Sequence, residues 1–139
     1  MSISRAQRQL VRQRAGDCCE YCLLSQTGQL VRFQIDHIIA LKHGGTDDDD
    51  NLCLACYDCN IFKGSNIATL DPLSGDVTTL YNPRQQHWDD HFEIKSDSTL
   101  IGRTPEGRAT ILVLRLNDEV RIKQRFDEQT VGSYPCKNW

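Results

Sequence analysis

Four cysteines stand in two matched pairs, Cys19-Glu20-Tyr21-Cys22 and Cys56-Tyr57-Asp58-Cys59. Between and beside them fall an Asp36-His37 dipeptide and two asparagines, Asn51 and Asn60. A two-residue gap between sulfurs lets a tight turn aim two thiolates at one ion, and two such knuckles complete the tetrahedral four-cysteine shell of a structural Zn2+. The pairing argues for zinc over a redox couple or four unrelated buried thiols. Thirty-three residues separate the knuckles, more than the roughly 15–20 of a simple zinc ribbon, so something is built inside that loop. Imidazole is the side chain that ordinarily titrates closest to physiological pH, which suits His37 to moving a proton.

The elements that must position these groups are short. Ser4-Arg5-Ala6-Gln7 has capping-box form and Gly16 is a natural stop, which predicts a helix over residues 5–15. Ile3, Ala6 and Leu10 share one face of it, and Arg5, Arg8 and Arg12 nearly the opposite one. Leu30 to Ile35 has strand character and runs into Asp36-His37. Gly44-Gly45-Thr46 and the four aspartates Asp47–Asp50 read as a solvated loop before the chain returns at Asn51-Leu52. The second knuckle opens a short helix that Gly64 stops. Farther on, residues 71–76 read as a turn, 91–94 and 99–101 as strands, 105–116 as a helix capped by Thr104, and a last helix as starting at an Asn117 cap.

Composition bounds the rest. The chain has 139 residues, 39% hydrophobic, with a net charge of −3, which fits a single core rather than a disordered or histone-like chain. No apolar run reaches the roughly 20 residues of a membrane span, and the first residues lack a signal-peptide pattern. A soluble, cytoplasmic protein with no membrane partner is therefore expected. In that compartment thiols stay reduced, so the seven cysteines argue against a disulfide framework, and the three outside the knuckles, Cys18, Cys53 and Cys136, include two, Cys18 and Cys53, that read as packed thiols. Charge is uneven: residues 1–35 carry a net +3, 36–70 a net −4 and 71–139 a net −2. The N-terminal face is thus the natural anion-binding surface.

Asp36-His37-Ile38-Ile39, Gly44-Gly45, Asn51-Leu52 and Cys56-x-x-Cys59-Asn60-x-x-Lys63-Gly64, in that order, resemble the HNH endonuclease family. The resemblance spans residues 19–64 and implies a small α+β protein. Residues 1–70 would hold the N-terminal helix and a ββα-metal core stapled by the four-cysteine zinc site, and residues 71–139 a strand-and-helix extension packed on it. It further implies a metal-dependent endonuclease hydrolysing DNA to 5′-phosphate and 3′-hydroxyl ends. His37 would be the general base and Asn51 would orient it. Asp36 and Asn60 would hold a catalytic Mg2+ or Mn2+, an oxygen set that favours hard ions. In an extended strand, Asp36 and His37 point to opposite faces, so a local bulge or turn is expected to bring both to one phosphate. Arg5, Arg8, Arg12, Lys63, Arg84 and Arg108, with Arg115 on the same helical face as Arg108, are the candidate phosphate contacts. The rival reading is a zinc module that binds nucleic acid without cutting it. It would need the knuckles but not Asp36, His37, Asn51 and Asn60 together.

Overall fold

The computed structural model describes residues 2–137. Helix α1 (Arg5–Ala15) starts on the expected capping box, Ser4 accepting from the Gln7 amide while Gln7 reaches back to Ser4, and it ends at Gly16 with φ +62°. Its buried residues are Val11 and Ala15, not the expected Ile3–Ala6–Leu10 face, and Leu10 is exposed. The correction has a polar cause. Gln7 Nε2 donates to the Asp47 carbonyl at 2.7 Å, and Arg14 Nη2 to the Leu52 carbonyl at 2.7 Å, so the side of the helix that carries Gln7, Val11 and Arg14 lies on the hairpin.

That hairpin is β1 (Gln34–His37) paired antiparallel with β2 (Leu52–Ala55), followed by α2 (Tyr57–Lys63), which Cys56 caps. The strand starts later than expected. Leu30 is fully exposed and Val31 half-exposed, because the apolar residues there have no strand beside them. Every residue of β2 is buried, pressed between the helices.

The C-terminal part holds two more two-stranded pieces, β3 (Ala68–Leu70) with β4 (Val77–Thr79) and β5 (Phe92–Ile94) with β6 (Leu100–Gly102). The expected turn at 71–76 joins the first pair, whose strands the sequence reading did not foresee. A one-turn α3 (Trp88–His91) leads into β5, and α4 (Pro105–Val113) and α5 (Glu119–Thr130) close the chain. Helix α4 is shorter than expected, and Asn117 is not a helix cap. It clamps β6 instead, accepting from the Leu100 amide at 2.9 Å and donating to its carbonyl at 2.8 Å.

One buried cluster runs from Val11 through Tyr21, Phe33, Leu54, Trp88, Phe92 and Leu116 to Tyr134. Trp88 Nε1 donates to the Tyr21 carbonyl at 2.9 Å and the Tyr134 hydroxyl to the Cys22 carbonyl at 2.7 Å, so the C-terminal part is pinned on the first knuckle. A disulfide between Cys18 and Cys136 adds a covalent tie there. This corrects the reading of Cys18 as a packed thiol and the expectation against disulfides: the folded tail lays Cys136 beside Cys18, its amide donating to the Leu23 carbonyl at 2.8 Å. Cys53 is the buried free thiol expected. Among the described residues no helix is long and apolar enough to cross a membrane.

Candidate metal cage and catalytic strand

Both knuckles use the same local device. The Cys22 amide donates to Cys19 Sγ, and the Cys59 amide to Cys56 Sγ, each at 3.5 Å. Leu23 turns the first knuckle at φ +66°, and the first turn of α2 shapes the second. The four sulfurs lie within 4.8 Å of one another and all four residues are buried. Cys22 and Cys56 Sγ are 3.7 Å apart, close to the roughly 3.8 Å edge of a tetrahedron with Zn–S bonds of about 2.3 Å. Burial pushes the Cys19 and Cys59 thiols well above their ordinary value, while hydrogen bonds from the neighbouring sulfurs hold Cys22 well below it; keeping all four as thiolates in one buried cluster needs a cation. The cage fits zinc. Sequence reading missed one partner: Arg121 of α5, itself buried, donates from Nη2 to Cys59 Sγ at 3.0 Å and to Cys56 Sγ at 3.6 Å. Its charge offsets part of the negative charge that four thiolates leave on a dication.

The other end of the hairpin carries the catalytic candidates. The β1–β2 ladder is regular, with Asp36 opposite Cys53 and His37 opposite Leu52. The expected bulge is therefore not there, and the two neighbours part to opposite faces. Asp36 turns inward and is 5% exposed. It accepts from the Tyr21 hydroxyl at 2.9 Å and pairs with Lys63 Nζ at 3.1 Å, with Cys53 Sγ at 3.7 Å. Burial pushes its carboxyl up, while Lys63 pulls it down.

Lys63, expected to touch phosphate, is 1% exposed and also donates to the His37 carbonyl at 3.0 Å. Its charge is engaged inside, so it is corrected to a structural counter-ion. Asn60 sits half-buried on α2, and among the described residues no hydrogen bond joins it to Asp36 or His37. As arranged, Asp36 and Asn60 do not form an open oxygen site for a divalent cation, because an ammonium already covers the carboxylate.

His37 is on the open side, its side chain 24% exposed, and Nε2 is 2.7 Å from Asp47 Oδ1. Asp47, read as a solvated loop residue, is thus a partner of the imidazole. Asn51 is not bonded to His37. It accepts from the Ile39 amide at 2.9 Å, and its Nδ2 donates to the carbonyls of Ile39 and Thr46 at 2.9 and 2.8 Å. It therefore ties the end of β1 to the residue before Asp47 and sets the imidazole only through that loop. Gly45 is required there, since a Cβ would overlap the Ile39 carbonyl oxygen.

The arginines divide. Arg5 and Arg8 are exposed, whereas Arg12 Nη2 donates to the Phe33 carbonyl at 2.8 Å. Arg84 pairs with Glu20. Arg108 grips Asp71 through Nε and Nη2, both at 2.9 Å, so it is a structural pair rather than a phosphate contact. Arg115 lies beyond α4, at φ +51°, its guanidinium 4.9 Å over the Phe62 ring, and so does not share a helical face with Arg108.

Residues 19–66 match the family model described as HNH endonuclease. The knuckles, the hairpin and α2 are therefore the part of the chain that is similar to that family. No curated protein and no solved structure matched the chain.

Proposed function

We propose that the protein is an endonuclease that hydrolyses DNA phosphodiester bonds, with His37 as general base and the four-cysteine cage holding a structural Zn2+. The observation that carries this reading is the pairing of His37 Nε2 with the Asp47 carboxylate. A carboxylate accepts, so Nε2 carries the hydrogen and Nδ1 keeps its lone pair. Nδ1 can then take a proton from a water whose oxygen bonds to phosphorus as the bond to the 3′ oxygen breaks. That polarity, implied by the family resemblance, leaves a 5′-phosphate and a 3′-hydroxyl. The resemblance also implies Mg2+ or Mn2+ on Asp36 and Asn60, which would offset phosphate charge, but the Lys63 ammonium on Asp36 does not fit that assignment. Asp47 is a positioning residue, and Asn51 supports it. Arg5 and Arg8 are the remaining α1 candidates for phosphate contact.

A second reading, a zinc-stabilised nucleic-acid-binding module without turnover, is favoured by one observation: Asp36 is already engaged by Lys63 and Tyr21. A plasmid-cleavage assay with Mg2+, with Mn2+ and without either separates the two. Cleavage by wild type that His37→Ala abolishes supports the nuclease. Equal cleavage by both removes His37 from its role, and no cleavage under any condition leaves the binding module.

A further inference from the structure

Where the C-terminal part meets the end of α1 and the first knuckle there is a cavity of about 230 Å³, bounded by Arg14, Ala15 and Glu20 on one side and by Arg84, His87 and Trp88 on the other. Its charged and titratable lining is Arg14, Arg84, His87, Tyr81 and a single acid, Glu20. Glu20 is shared, one oxygen with Arg84 and the other accepting from the Leu54 amide at 2.8 Å. The Arg84 side chain is 13% exposed, yet its Nε is buried without a hydrogen-bond partner. Arg14 uses Nη1 and Nη2 on the carbonyls of Asp49 and Leu52, which fix it at the rim. Burial, then the like charge of Arg14, pulls the Arg84 guanidinium down to about 10. Two arginines held in a concave site beside one shared carboxylate are the arrangement that a bidentate anion would complete.

The location matters as well. Leu52, which holds Arg14, is the cross-strand partner of His37. The rim of the cavity is thus anchored on the strand that pairs with the one carrying the imidazole.

We propose that this cavity binds a phosphate group of the nucleic-acid backbone, gripped by Arg84 with Arg14 at its rim. The proposal rests on the nucleic-acid reading above, and it gives the C-terminal part a share in substrate binding. The test uses full-length, zinc-loaded His37→Ala protein, so that bound DNA is not cut, and follows the Arg84 Nε–H resonance by NMR. Inorganic phosphate should move that resonance saturably, and a short DNA duplex should move it at lower concentration. Arg84→Gln should lower the salt dependence of duplex binding by about 0.9, one phosphate's worth. Glu20→Gln, which removes the competing charge, should tighten phosphate binding.

A duplex that binds while the Arg84 resonance stays still, or a salt slope unchanged in Arg84→Gln, overturns the proposal. So does weakening by both variants, which would mark a merely structural ion pair. Response to phosphate but not to duplex overturns the backbone assignment in favour of free phosphate. Because none of these measurements depends on turnover, failure of the wild type to cut DNA would sink the catalytic reading and leave this test standing.

Discussion

The two ends of the β1–β2 hairpin are built to different standards. At one end, four buried cysteines converge within 4.8 Å, backed by amide donors and a buried arginine. At the other, His37 and Asp47 meet in a single hydrogen bond with both side chains more than a fifth exposed. The closed end suits an ion that is never exchanged, and the open end suits a group that must meet water and phosphate. Rigidity at the first makes exposure at the second tolerable, since His37 is carried on a strand whose partner is wholly buried.

Breaking the closed end should have the largest effect. Cys56→Ala, or zinc removal by a strong chelator, is expected to abolish the folded state, because binding energies of about 10–16 kcal/mol for structural zinc match or exceed the whole stability of a small domain. Loss of the circular dichroism signal together with loss of zinc by elemental analysis checks this; folded protein without zinc would refute the cage.

Breaking the open end should spare the fold. His37→Ala is expected to keep its zinc and its melting temperature and to lose about 10²–10⁴ in cleavage rate. Asp47→Asn should lose less, up to about 10²-fold from misplacement of the imidazole. The loss should fall on kcat more than on KM, and Asp47→Glu should recover part of it. Equal rates for Asp47→Asn and wild type would mean that the contact orients nothing.

The comparison sharpens at the surface beside the hairpin. Arg5→Gln with Arg8→Gln should reduce the salt slope of DNA binding by up to about 1.8 without changing stability. Arg12 is left out because it holds the Phe33 carbonyl.

The smallest effect is expected outside the hairpin, at Asp71 in the β3–β4 turn. Its carboxyl is held well below the usual carboxylate range, chiefly by the Arg108 fork and then by the Leu73 amide and the Ser74 hydroxyl, against burial. A depressed pKa contributes stability that is present above the unfolded value of about 3.9 and lost as pH falls below it. Asp71→Asn should therefore melt lower than wild type at neutral pH, and the gap should narrow below about pH 4. A gap that does not depend on pH would assign the pair no electrostatic role.

What could be read from the residues alone followed contact range. The knuckles and the α1 cap are written within four residues of themselves, so spacing sufficed for Cys19–Cys22, Cys56–Cys59 and Ser4–Gln7. Thr104 and Pro105 likewise announce α4. Contacts made across the fold left no such mark. Nothing near Lys63 in the chain shows that it turns in to Asp36, and nothing near Arg121 shows that it reaches Cys59. Asp47 is one of four consecutive aspartates, and only the loop closed by Asn51 and Gly45 selects it. The apolar run at 30–33 misled for the converse reason: strand propensity says nothing about whether a neighbouring strand is there to pair with.

The link between Cys18 and Cys136 makes most of the chain a ring. A protease that cuts once anywhere from residue 19 to residue 135 opens the ring without releasing a fragment. Such a nicked molecule would keep its full mass under non-reducing denaturation and fall into two pieces only when a thiol is added.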